Sequence, residues 1–156
     1  MITHLVSQAG YGVQEHTPEE IREAIFAIEQ RICEAPNRIG FEGEHLFVDA
    51  AKIYARSMFL PKGTINTGKL HAHDDLLIIA RGKVTFFTEH GRRTFDATER
   101  PVMTTVKAMT KPVVYAHEDS WFFSAHSNPN GNSTVEQMES ELVVPNEEGK
   151  IPEVLR

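Results

Sequence analysis

Residues 63–82 read Gly-Thr-Ile-Asn-Thr-Gly-Lys-Leu-His-Ala-His-Asp-Asp-Leu-Leu-Ile-Ile-Ala-Arg-Gly. Lys69, His71, His73 and Asp75 stand at alternate positions, and a strand directs every second side chain to the same side of its sheet. Behind them comes an unbroken apolar run, Leu76, Leu77, Ile78, Ile79 and Ala80, of the kind buried on both faces. The polar row therefore leads directly into core. If its face is a barrel interior, two imidazoles and a carboxylate suit a divalent metal of the zinc, iron, manganese or nickel kind. On a half-exposed strand the same His-x-His pair is only a polar outer face.

The rest of the chain supplies strands to close such a barrel. Residues 45–48 and 52–60 read as the first two, with Pro61-Lys62-Gly63 turning into the ligand strand. Residues 83–88 and 93–97 flank Glu89-His90-Gly91-Arg92, a hairpin with Gly in its loop. Residues 104–109, 113–116 and 121–126 bring the number of short strands to roughly eight, the count of a jelly roll or small barrel. Separations this short leave no room for crossover helices, so the sheet is expected to be antiparallel. Two helices frame it. Thr17-Pro18-Glu19-Glu20 is a capping box with Pro at the first helical position, and the stripe Ile21, Ala24, Ile25, Ile28 and Ile32 carries the helix over residues 18–33, where Ala35-Pro36-Asn37 stops it. Ser133-Thr134-Val135-Glu136 repeats the box and starts a short helix ending near Leu142. From Pro145 onward an extended tail is expected. The chain reads as one mainly β domain: a helical segment over residues 1–44, a barrel over 45–128, and a short helix with tail over 129–156.

The spacing between Gly63 and Gly82 resembles the first motif of the cupin superfamily, G-x5-H-x-H-x3-E-x6-G. Anchored on both glycines, Lys69 takes the first His position, His71 the second and Asp75 the Glu position; anchoring on His71 and His73 instead requires a deletion. Downstream, Pro112 and His117 keep the separation of the second motif, G-x5-P-x-G-x2-H-x3-N, with Val106 and Val114 at its Gly positions and Trp121 at its Asn position. The resemblance covers roughly residues 47–128. It implies a jelly-roll barrel with a metal held by His71, Asp75 and His117. It also implies a shell with one ligand replaced, because a protonated Lys69 has no lone pair to donate. Lys69 then deprotonates, points elsewhere or takes the place of the cation, and is a ligand-binding candidate; His73, one pleat further along, is a candidate for the missing imidazole. His126 is a further ligand-binding candidate: it points opposite Trp121, Phe123 and Ala125, either inside near His117 or into water. The chain is also similar to small cupin-like proteins of tailed bacteriophages, through the Met-Phe-Leu-Pro segment at Met58 to Pro61, Gly68-Lys69-Leu70-His71, and Tyr115-Ala116-His117.

Composition narrows the partners. With a net charge of −6 and no Lys/Arg stripe, nucleic acid is not expected; Arg92 and Arg93 read as solvated charges at a hairpin tip. A small anion inside the barrel is compatible, because Lys69 is a local positive charge whatever the global balance. No stretch approaches the roughly 20 apolar residues of a membrane span. The start, Met1-Ile2-Thr3-His4-Leu5-Val6, lacks the basic and apolar regions of a signal peptide, and the one cysteine, Cys33, rules out an internal disulfide; the cytoplasm, of a bacterium or of an infected one, is the expected address. Without a Ser-His-Asp order, a Gly-rich phosphate loop or a CxxC pair, triad hydrolase, nucleotide-loop and thiol-redox chemistries have no support.

Three functional classes follow. One is a metal-dependent enzyme of oxygenase, isomerase or lyase type, as the resemblance implies. Another is a binding module in which Lys69 and the histidines hold a small polar or anionic molecule. The last is a structural or accessory protein, phage-encoded on the second resemblance, that works through protein contacts. A homo-oligomer, a dimer or larger, is expected of a barrel with a helix and tail outside it.

Overall fold

The computed structural model describes residues 16–40 and 43–146. The chain start, for which no signal peptide is expected, and the tail beyond residue 146 lie outside the described residues. Helix α1 (Pro18–Glu34) begins with the expected reciprocal cap. Thr17 Oγ1 accepts from the Glu20 amide at 3.2 Å, and Glu20 Oε2 accepts from the Thr17 amide at 2.8 Å. Of the apolar stripe only Ile25 is fully buried; Arg22 is buried beside it. The helix is therefore held to the barrel by charge as much as by apolar contact. Arg22 reaches Glu89 and the Met109 carbonyl, and buried Lys111 donates to Glu29 at 2.7 Å.

The strands are β1 (His45–Val48), β2 (Ile53–Leu60), β3 (Ile65–Thr67), β4 (Leu70–His71), β5 (Asp75–Thr88), β6 (Gly91–Ala97), β7 (Val102–Val106), β8 (Val113–Ala116), β9 (Ser120–Ser127) and β10 (Val143–Val144). Every pairing is antiparallel, as the short connections require. The long strand β5 serves two halves of the barrel. Its first part lies between β9 and β7, with β2 and β1 beyond β9; its second part lies between β6 and β8, with β3 beyond β8.

The two segments read separately as residues 76–80 and 83–88 are thus one strand that bends. Gly82 makes the bend possible, with φ at +98° and a backbone so close to β9 that a Cβ would collide with the Asp119 carbonyl and Ser120. The apolar run ahead of it buries one face, not two: Leu77 and Ile79 are in the core, while Leu76 is 42% exposed. Leu60, Leu77, Ile79, Val84, Phe86, Phe95, Val114 and Phe122 fill the space between the halves.

Helix α2 (Val135–Leu142) starts one residue later than the Ser133 frame suggests, capped by Thr134 with Gln137, which turns Met138 and Leu142 inward. It leads into β10, which pairs with β4 and closes one end of the barrel. No helix among the described residues is long and apolar enough to cross a membrane.

Candidate metal and ligand site

The barrel end beneath β10 holds a charged group. His71 is fixed by its backbone: β4 pairs Val143 opposite it, its carbonyl accepts from the Met109 amide at 2.8 Å, and the next amide, Ala72, donates to the Leu142 carbonyl at 2.9 Å. The chain then bends. Asp74 turns outward and anchors the bend by accepting from the Ala108 amide at 2.8 Å and from Lys107 Nζ at 2.7 Å. In a straight strand His71 and Asp75 would be about 13 Å apart along the chain axis. The bend instead places their side chains in contact, Nδ1 on Oδ2.

Asp75 opens β5 on its inward face, and β9 brings the third group. Along β9 the inward positions are Phe122, Ser124 and His126, and His126 Nδ1 lies 2.5 Å from Asp75 Oδ1. The two imidazoles meet edge to face at 5.0 Å, and Tyr54 stacks on His126 with ring centroids 5.7 Å apart. Tyr54 hydroxyl in turn contacts His45 Nδ1 at 2.7 Å. Asp75 and His126 are 5% and 2% exposed. One donor atom from each of His71, Asp75 and His126 lies within 4.8 Å of the others.

Burial raises the Asp75 carboxyl's pKa, but the hydrogen bonds from His126 and His71 outweigh it and hold the group below its ordinary value. A carboxylate accepts only, so each imidazole donates through Nδ1 and, when neutral, keeps its Nε2 lone pair. His126 Nε2 is 3.1 Å from Ser124 Oγ, whereas His71 Nε2 is buried with no hydrogen-bond partner among the described residues. A buried nitrogen of this kind has a lone pair open to a bound ion or an ordered water. Beside it is a cavity of about 80 Å³, lined at its polar end by Arg56, His71, Asp75 and Ser124 and along its walls by Phe86 and Phe122 among others. The donor set and the orphaned nitrogen fit a divalent metal. Asp75 can take a coordination position itself or hold the two rings from behind, as carboxylates do for metal-bound imidazoles.

The expected convergence of His71, Asp75 and His117 needs one correction. His117 is outside the barrel, following β8 on the face opposite Val114 and Ala116. There its Nε2 meets Thr85 Oγ1 at 2.7 Å and its ring meets Tyr115 edge-on. His126 stands where His117 was expected. Lys69 does not point inward beside His71 as the alternating face requires; it sits at the cavity rim, exposed, with Nζ 2.5 Å from Glu139 Oε1. His73 is exposed on the bend. The chain leaves strand twice here, at residues 68–69 between β3 and β4, where Lys69 lies, and at 72–74 between β4 and β5, where His73 lies, so a two-residue period does not extend from Lys69 to Asp75. Tyr54, Arg56 and Ser124 were not legible as site residues, although Arg56 and Ser124 follow from the register Tyr54↔His126 and Arg56↔Ser124 once β2 and β9 are paired.

No protein-family model matches the chain, and no curated protein does. Solved structures do. The plu4264 protein of Photorhabdus luminescens is similar over 58% of this chain and 78% of its own, at 11% identity and a TM-score of 0.50. A Cupin 2 conserved barrel domain protein from Salinispora arenicola matches over 64% and 83%, at 13% identity and 0.48. An RmlC-like cupin with a double-stranded β-helix fold from Methanocaldococcus jannaschii matches over 60% and 85%, at 16% and 0.45. This chain's barrel is similar to the cupin barrel. At such identities the likeness concerns the path of the cupin barrel alone, and the chemistry must be argued from the side chains inside it.

Proposed function

We propose that this cupin barrel holds a divalent metal through His71, His126 and Asp75 and binds a small molecule in the cavity beside it. The observation that carries the reading is the buried His71–Asp75–His126 group with one imidazole nitrogen unpartnered. A bound metal supplies a Lewis acid that polarises or orients the small molecule. The chain's own residues fix the imidazoles, exclude bulk water and shape the cavity; Arg56 adds a cation at its polar end. Elemental analysis of protein purified without an affinity tag, with thermal unfolding in added zinc, iron, manganese and nickel, tests the proposal. One equivalent of metal and a rise in melting temperature that His126→Ala removes are the expected results.

A metal-free binding pocket is the second reading. It is favoured by the carboxylate that already satisfies both Nδ1 atoms. Protein without metal, and without a metal-dependent rise in stability, establishes it over the first. We also propose that the chain self-associates, because Leu76, Met103 and Phe123 are exposed apolar residues on the neighbouring strands β5, β7 and β9, with exposed Leu46 on β1 in the same sheet. Light scattering that shows only a 17.6 kDa species at micromolar concentration excludes this. Cys33, exposed and free, suits a cytoplasmic setting.

A further inference from the structure

The cavity at the His71–Asp75–His126 group is not the only one in the barrel. A wider one, about 380 Å³, opens beside the β5–β6 hairpin, with Arg92, Arg93, Lys107, Thr88 and Thr104 among its lining. Leu77, Phe86, Val106, Thr110 and Pro112 line both cavities, so the two share an apolar wall. The shared wall also carries one unused polar atom. Thr110 is 8% exposed and its hydroxyl oxygen is buried without a hydrogen-bond partner among the described residues.

The charge of the wider mouth opposes that of the whole chain. Among the described residues its lining includes Arg92, Arg93 and Lys107 and no carboxylate, in a protein of net charge −6. Lys107 is occupied by Asp74, at 2.7 Å. Arg93 lies over the Phe95 ring at 4.7 Å and donates to Thr104 Oγ1 at 3.2 Å, which holds its guanidinium at the mouth. Guanidinium groups suit carboxylates, which they can pair in a two-pronged fashion. Of the hairpin charges that composition alone reads as solvated, Arg93 thus lies over an apolar hollow, while Arg92 follows the Thr94 face of β6.

From this arrangement we infer that the barrel binds a small amphipathic carboxylate, its head at Arg93 and its apolar body along Leu77, Phe86, Val106 and Pro112. The inference deepens the proposed function by naming a ligand class, and it rests on that reading only for what the ligand's inner end meets.

Hexanoate, acetate and 1-hexanol are the probes, titrated by calorimetry into the full chain with and without zinc. Hexanoate is expected to bind saturably and at least about tenfold more tightly than either acetate, which lacks the tail, or hexanol, which lacks the charge. The Arg93→Gln variant, altered only at an exposed position of β6, should lose about tenfold in hexanoate affinity. Acetate binding as tightly as hexanoate, hexanol binding as tightly as hexanoate, or an Arg93→Gln variant with undiminished hexanoate affinity overturns the inference. The two readings fail separately. Hexanoate binding that depends on Arg93 in a protein without metal affinity upholds the carboxylate site and removes the metal, whereas zinc binding without any hexanoate binding does the reverse.

Discussion

His126 and His117 lie on late, neighbouring segments of the chain, and each pairs with a side chain of β5. Inside the barrel, His126 is packed between Tyr54 and His71 and bonded to a carboxylate, with 2% of its surface exposed. On the outer face, His117 meets the hydroxyl of Thr85 and the edge of Tyr115 and is partly open to water. Residue type does not distinguish the two. The difference is parity: His126 shares its side of β9 with Phe122, while His117 follows the outward positions of β8. In a barrel, one residue of register decides whether an imidazole is part of a site or part of a surface.

The comparison breaks most visibly at the carboxylate. Asp75→Ala leaves two buried imidazole N–H groups without their acceptor and is expected to cost about 3–5 kcal/mol by chemical denaturation, with loss of metal binding. A cost near zero would mean that the interior group is not the tied network described. His126→Ala should cost about 2–4 kcal/mol from the cavity left under Tyr54, and should abolish any stabilisation by added metal. His117→Ala should cost about 1 kcal/mol or less, since Thr85 keeps Thr94 as a partner at 2.8 Å, and metal stabilisation should be intact. Equal loss of metal response in both histidine variants would erase the distinction between inside and outside.

A smaller effect sharpens the contrast between the interior group and the charged contacts under α1. Burial raises the Glu29 pKa, but hydrogen bonds from Lys111, Asn146 and Thr67 together with the Lys111 charge hold it below its ordinary 4.5. A carboxyl depressed in the folded state contributes stability that is complete above its unfolded pKa and lost as pH falls through the folded value. The stability difference between wild type and Glu29→Gln should therefore be present at pH 7 and fade below about pH 4. Unfolding curves of the pair across that range check it; a difference that persists unchanged at pH 3 would assign Glu29 no role through its charge.

How much of this was legible varies with how local the determinant is. Both helix starts follow from short-range chemistry, and α1 begins where Thr17, Pro18 and Glu20 place it. The hairpin around His90 and Gly91 is local as well. Antiparallel pairing follows from connection length. The site was only partly readable because its geometry depends on a strand break: the alternating row Lys69, His71, His73, Asp75 assumes a straight chain, and the bend is imposed from outside by Lys107, Ala108, Met109 and Leu142. His126 was visible as the inward-or-outward member of its strand. Choosing between the two needed the pairing of β9 with both β2 and β5, a relation among residues some 50 to 70 positions apart that no local pattern encodes.

The position of β9 has a consequence for how the molecule comes into being. In the order β1-β2-β9-β5, the strand made late in synthesis occupies an inner place. Until residues 120–127 arrive, β2 and β5 each present a row of unpaired amides and carbonyls, which is the type of edge that recruits strands from other chains. Joining β2 to β9 also closes a long loop, so formation of this half of the barrel is slow relative to the local β5–β6 hairpin. Because His126 travels on that strand, Asp75 has no second imidazole before β9 inserts. The capacity to hold a ligand there thus marks a finished barrel.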